Sequence, residues 1–251
     1  MKWILSFLPR FLLIRMSLFF QPLLRIYFKG SKFIDPIDCS RYRKFFSYGY
    51  GKTLRPNALC PGTLSLERHR LLWLYLERET RFLNQRLKVL HVAPEQVFYQ
   101  KFKRFQHWDY TTTDLYSPLA DVVADICDLP FQDNQYDLIF CNHVLEHIPD
   151  DLQAMAELYR VLKKGGTLIA QVPLEQERSK TFEDDSITST GERSRVFGQY
   201  DHVRVYGHDY YQRLKSVGFS AEGVFFQSQL TTEEIGRYAL PENEKIPVMR
   251  K

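Results

Sequence analysis

The most legible alternation of apolar and polar positions runs from Leu129 to Pro173, LPFQDNQYDLIFCNHVLEHIPDDLQAMAELYRVLKKGGTLIAQVP. Tyr136 to Cys141 is a short apolar run suited to a strand buried on both faces. It switches abruptly to Asn142-His143, with Glu146 and His147 just beyond. At the carboxyl end of a strand in an open parallel sheet, such residues face the ligand crevice. Asp150 or Asp151 can cap a helix in which Leu152, Met155, Tyr159 and Leu162 recur at helical spacing. Lys163 and Lys164 suit the negative end of that helix, and Gly165 its left-handed cap. An apolar strand follows, so the stretch is a strand-helix-strand unit with polar chemistry at one mouth.

The same reading extends outward. Ser65 opens a helix to about Phe82, with Leu66, His69, Leu72, Trp73 and Leu76 on one face. Leu87 to Ala93 is a buried strand and Glu95 to Phe105 a helix. Trp108 to Asp114 and Val122 to Ile126 are two further strands. Leu174 to Arg204 is polar and lacks a helical period, and its length suits a lid over a site. A helix begins at His208-Asp209 and ends near Gly218. Phe219 to Ser228 and Glu244 to Lys251 close the chain as strands, although Pro247 argues against the last one. Strands alternating with helices predict the α/β class.

The amino terminus has a different pattern. Trp3 to Phe28, WILSFLPRFLLIRMSLFFQPLLRIYF, is apolar but punctuated by Arg10, Arg15, Arg25, Pro9 and Pro22. Those charges and prolines make a membrane span costly. A cleavable leader would need an uninterrupted apolar core and a small-residue cleavage site. Residues 1–28 are therefore expected to lie at a membrane surface as a basic amphipathic segment with snorkelling arginines. The alternative is a helix packed on the protein's own surface. Domain boundaries follow: 1–30 interfacial, 31–83 a knuckle and helix, 84–251 the α/β domain.

Length and charge add bounds. A chain of 251 residues holds one such domain plus extensions, and a net charge of +4 gives no reason to expect nucleic acid. Cys39, Cys60, Cys127 and Cys141 are scattered, which is no disulfide framework and suits a reducing, cytoplasmic setting at the inner face of the membrane. Asp35-Pro36-Ile37-Asp38 and Cys60-Pro61-Gly62-Thr63 share the spacing of the two halves of a four-cysteine ribbon. With one thiolate left this is a degenerate ribbon, and no metal is expected.

From Leu87 to Phe219, and most sharply from Asp125 to Pro173, the chain resembles the class I S-adenosylmethionine (SAM)-dependent methyltransferases of the small-molecule type. LPF-x-D-x-x-Y-D before an apolar strand, then LEH and RVLK-x-GG, carry the resemblance. It implies a Rossmann-like seven-stranded sheet of order 3-2-1-4-5-7-6, SAM as cofactor, and methyl transfer to a small or lipid-linked acceptor. The chief departure is the first loop, where His91-Val92-Ala93-Pro94-Glu95 replaces an acid and a G-x-G turn. Ala93 is small and Pro94 has its φ preset, so the turn can still be tight. By resemblance Asp125 and Ile126 contact the adenine. His91, Ala93 and Glu95 of the replaced loop, Asp114 where an acid can take the ribose hydroxyls, and Asn142 at the strand end are the further cofactor candidates. His143 is the leading general-base candidate and His202 the second, since an imidazole titrates near neutrality. Each of them can instead be a structural contact. His147 orients the LEH turn beside the acceptor, and Arg204 binds an anionic acceptor group. The alternative to an enzyme is a methyltransferase-like pseudoenzyme serving as a membrane-attached binding module.

Overall fold

The computed structural model describes residues 10–49 and 54–251, so the first nine residues of the expected interfacial segment lie outside it. In chain order the elements are α1 (Arg10–Tyr27), β1 (Lys29–Ile34), β2 (Arg41–Tyr42), β3 (Phe46–Tyr48), β4 (Arg55–Leu59), α2 (Glu67–Glu79), β5 (Leu87–Val92) and α3 (Gln96–Phe102). β6 (Trp108–Asp114), β7 (Val122–Val123), β8 (Tyr136–Cys141), α4 (Asp151–Val161), β9 (Leu162–Ile169), β10 (Phe182–Glu183) and α5 (Thr190–Val196) come next. β11 (Arg204–Val205), α6 (Tyr210–Ser216), β12 (Ser220–Val224), α7 (Thr232–Arg237) and β13 (Ile246–Arg250) complete the chain. They form two compact units.

The larger unit comprises Arg86–Pro94, Phe105–Val224 and Ile246–Lys251. Its sheet has seven strands in the order β12-β13-β9-β8-β5-β6-β7. Counted along the chain, that is the expected order 3-2-1-4-5-7-6. Six of the seven strands run the same way, and β13 runs antiparallel between β12 and β9. Pro247 is tolerated because β13 pairs with β9 only from Val248 onward, so no ladder bond to β9 is asked of its missing N–H. Leu90, Val92, Ile139, Cys141, Leu168 and Ala170 pack one face of the sheet against Ala154, Met155, Leu158 and Val161 of α4. The buried stripe is thus shifted by one position from the expected one, and Leu152 is exposed.

The end of α4 also differs from expectation. Lys163, Lys164 and Gly165 lie inside β9, with Gly165 at φ +77°. The helix's last carbonyls are met from elsewhere, by Nζ of Lys251 donating to Tyr159 (2.7 Å) and Arg160 (3.2 Å). Lys163 pairs instead with Asp137. The polar insertion is not structureless either. Ser189 accepts from the Glu192 N–H to cap α5, and β10 pairs with β11. Because α5 buries no residue, it leaves no apolar period in the sequence.

The smaller unit comprises Met1–Gln85, Glu95–Arg104 and Phe225–Lys245. Two small antiparallel sheets, β1-β2 and β3-β4, surround Phe33, Tyr42, Phe45 and Cys60. At the ribbon-like positions a hydrogen-bond network is in place. Buried Asp35 accepts from the hydroxyls of Thr63 and Ser65 and from the Ile37 N–H. Fully buried Arg70 donates to the same Ser65 hydroxyl and to the carbonyls of Ala58, Ser65, Tyr238 and Ala239. Burial pushes the Cys60 thiol up to about 12, which keeps it protonated. Asp38 is ion-paired with Arg25 at 2.6 Å. A short 3-10 turn, Phe226–Gln229, stands where the end of the strand expected to Ser228 would be, and α7 follows it.

Asp35 is the foremost charge compensating the desolvated Arg70 guanidinium. Asp35→Ala should therefore destabilise this unit by about 3–5 kcal/mol. Urea unfolding followed by fluorescence will measure it, and a loss below about 1 kcal/mol would show the pair to be dispensable.

Candidate functional site

In the larger unit β5 and β8 are neighbours and both end in a strained residue. Ala93, just past β5, has φ +48°, and His143, just past β8, has φ +54°. Side chains other than glycine seldom adopt this region, and outliers of this kind gather at functional sites. Each is pinned by its own N–H, Ala93 donating to Thr113 (2.8 Å) and His143 to Gln171 (2.7 Å). Asn142 is buried, and its Oδ1 accepts from the Gln171 N–H at 3.2 Å, so it locks the two strand ends together. At the end of β6, the Thr113 hydroxyl is buried without a hydrogen-bond partner. Asp114 beside it accepts from the N–H groups of Tyr116 and Ser117 through Oδ1 alone. Asp125 is exposed and uses Oδ1 to cap Cys127.

Several expected cofactor residues are otherwise engaged. His91 is fully buried, hydrogen-bonded to the Tyr110 hydroxyl at 2.8 Å and packed on Phe140, inside the layer rather than at its mouth. Ile126 joins the hydrophobic core. In the smaller unit, Glu95 precedes α3 and meets His69 Nε2 at 2.9 Å and Arg68 at 3.9 Å. His69 Nδ1 accepts from the Leu66 N–H, so its Nε2 carries the proton and donates to Glu95.

After His143 a 3-10 turn, Leu145–His147, presents the second group of residues. Glu146 Oε1 lies 3.1 Å from His143 Nδ1, with the carboxylate 2% and the imidazole 26% exposed. Burial opposes ionisation of Glu146, but the hydrogen bond and charge of His143 outweigh it and hold the carboxyl below the usual glutamate value. Glu146 Oε2 and His143 Nε2 are buried without partners. His147 Nδ1 approaches the Asp201 carbonyl (3.3 Å) and carboxylate (3.5 Å). Its ring packs edge-on against His202, with centroids 4.7 Å apart. His202 is buried, its Nδ1 faces the Phe197 carbonyl at 3.2 Å, and burial pushes its pKa down. The sequence candidates His143, His147 and His202 thus come together around Glu146, which was not itself among the candidates. Its position in LEH, three residues after His143, was the signal for it.

Arg204 requires a correction. Its guanidinium donates to the carbonyls of Leu145 (3.0 Å), Ile148 and Pro149 (2.8 Å) and to Glu183 (2.9 Å). At 3% exposure and with those partners, it clamps the LEH turn and has no free face for an acceptor anion. The residue anchoring this clamp, Asp151, was read only as a helix cap. It is buried and accepts from Arg213 at 2.5 and 3.0 Å and from the Tyr206 hydroxyl at 2.6 Å.

The chain has partial matches to known proteins. The family described as methyltransferase domain matches residues 79–170. A demethylmenaquinone methyltransferase of Lactiplantibacillus plantarum is 49% identical over 41 residues, 16% of this chain and 17% of that protein. An uncharacterized protein of Methanocaldococcus jannaschii is 47% identical over 51 residues, 20% of this chain and 22% of the other. The chain therefore spans about a fifth of the length of the curated relatives it matches. Among solved structures, a SAM-dependent methyltransferase from Archaeoglobus fulgidus aligns at a TM-score of 0.46 with 14% identity, covering 72% of this chain and 93% of that one.

The left-handed Ala93 gives a direct test of the first loop. An L-residue there costs roughly 1–2 kcal/mol, offset in part by the chain entropy that glycine would add. Ala93→Gly should raise stability by about 0.5–1 kcal/mol in chemical denaturation. A loss of stability would show that this turn is not strained.

Proposed function

Residues 79–170 match the methyltransferase domain and the sheet has the class I strand order, and from that premise we propose that this chain methylates a small or lipid-linked acceptor through an ionisable oxygen. The partial match to a demethylmenaquinone methyltransferase supports an organic small-molecule acceptor. The observation that carries the proposal is the His143–Glu146 pair at the mouth of β8. The carboxylate accepts from Nδ1–H and thereby leaves the lone pair on Nε2, the buried nitrogen without a partner. That nitrogen can take the acceptor's proton as its oxygen attacks. Glu146 sets the imidazole's tautomer, so it is a positioning residue.

SAM supplies an electrophilic methyl group on a sulfonium, which leaves as a neutral sulfide. The residues present suit it. Ala93 makes the tight turn after β5, where the backbone must come close to a nucleotide. Asp114 has an oxygen not used by its turn, and the Thr113 hydroxyl beside it lacks a partner. Asp125 and Asn142 complete this side. Calorimetry with SAM and its demethylated product should give saturable binding. Absence of binding at millimolar cofactor would leave the pseudoenzyme reading in its place. With an acceptor in hand, His143→Ala should lower the transfer rate by about 10²–10⁴-fold while SAM affinity is kept. Unchanged transfer would remove His143 as the base.

The same chain is proposed to sit on a lipid surface through α1. No helix among the described residues is long and apolar enough to cross a membrane. Within its own unit this helix turns its polar side inward. Ser17 accepts from Gln96 at 2.8 Å, Gln21 is buried and Arg25 pairs with Asp38, three residues spaced by four. The opposite side carries Phe19 (73% exposed), Leu23 and Ile26 (75%), with Arg15 alongside. That inversion supports an interfacial helix with its apolar face in lipid. Vesicles containing anionic lipid should float the full chain, and Phe19→Glu with Ile26→Glu should abolish flotation. Flotation unaffected by the double substitution would exclude this helix as the anchor.

A further inference from the structure

The His143–Glu146 pair engages only one oxygen of Glu146. The other, Oε2, is buried at a residue 1% exposed and has no hydrogen-bond partner. One donor atom each from Glu146, His147 and His202 lie within 4.8 Å of one another, and this is the one such group of three or more among the described residues. We propose that Glu146, His147 and His202 bind a divalent transition-metal ion of the zinc class. This goes beyond methyl transfer and stands or falls separately from it.

The donor set is one that zinc takes, two imidazoles and a carboxylate with a fourth position open to water or substrate. The tautomers are already set for it. Nδ1 of His147 and of His202 each face a backbone carbonyl, which only accepts, so Nδ1 carries the proton and Nε2 keeps its lone pair. His202 Nε2 is buried and unpartnered. The carboxylate also meets His143 Nδ1 at 3.1 Å, the kind of outer hydrogen bond that orients a ligating carboxylate. Ligand bonds of about 2.0–2.1 Å in a tetrahedron place donors about 3.3 Å apart. Closing from within 4.8 Å to that spacing asks for side-chain rotation, with the 3-10 turn and the His202 backbone left in place. His147, half-buried, is the open edge through which the ion enters.

The test uses the full chain, stripped with a chelator and titrated with zinc by calorimetry, with cobalt as a spectroscopic substitute. One equivalent should bind with micromolar or tighter affinity, and cobalt should give the intense visible absorption of a low-coordinate site. His147→Ala and His202→Ala should each weaken binding by more than about 100-fold, beyond what losing an outer partner does. His208→Ala, which changes an exposed histidine elsewhere, should leave it unchanged. Circular dichroism on every variant separates lost binding from lost folding, and half-buried His147 provides a variant that retains the buried framework. Failure to bind, or one equivalent retained by the His147 and His202 variants, would overturn the proposal. SAM calorimetry on the same preparations reports on the methyltransferase reading independently.

Discussion

The arrangement around the LEH turn depends on one buried carboxylate. Asp151 opens α4, where the helix dipole favours a negative charge, and it is 1% exposed. Arg213 of α6 and the hydroxyl of Tyr206 bind it directly, and Arg204 lies 3.9 Å away. Arg204 in turn holds the carbonyls of Leu145, Ile148 and Pro149, which bracket Glu146 and His147. The Val203 N–H donates to the Glu146 carbonyl. One ion cluster therefore fastens the turn carrying two of the grouped side chains to the segment carrying the third, His202. Desolvating such charges is expensive, and the expense is met only because nearly every donor has an oxygen to bind.

The strongest sequence signature turns out to be framework. LPF-x-D and RVLK lie far apart in the chain, yet Arg160 donates to the carbonyls of Leu129 and Phe131 and pairs with Asp133 and Glu157. Glu157 also accepts from the Leu129 N–H. These bonds close the loop before β8 onto α4. The fold and strand order were readable in detail because period-two and period-3.6 patterns report burial, and burial here follows the sheet. It also explains the misread end of α4. Lys163-Lys164-Gly165 has the composition of a helix stop, but the cation that meets the helix carbonyls comes from Lys251, at the far end of the chain.

Individual roles were less legible, for a related reason. A histidine or arginine in a sequence carries its chemistry but not its partners. Arg204 has the sequence look of an anion ligand, yet its partners are carbonyls, and Glu95, expected at the cofactor, meets His69. His91 sits one position before the end of β5, where strand alternation turns it into the layer onto Phe140 and Tyr110. His143 lies at the strand end as expected, but the role proposed for it rests on Glu146, and that pairing is made by a 3-10 turn with no periodic signal. Candidates at strand ends were found by topology, whereas those whose roles depend on a neighbour's hydrogen bonds were not.

The first loop shows how a departure from a family pattern can keep its geometry. Glycine is the usual residue for a left-handed turn because it lacks a Cβ, at the expense of more entropy lost on folding. Here Ala93 takes the left-handed conformation at φ +48° and is followed by proline, which restricts the unfolded chain. Strain in the native state is traded against freedom in the unfolded one. The Ala93 N–H is held by Thr113, the residue next to Asp114, so the turn after β5 and the end of β6 are tied into one unit. A loop of this kind is stiffer than its glycine counterpart.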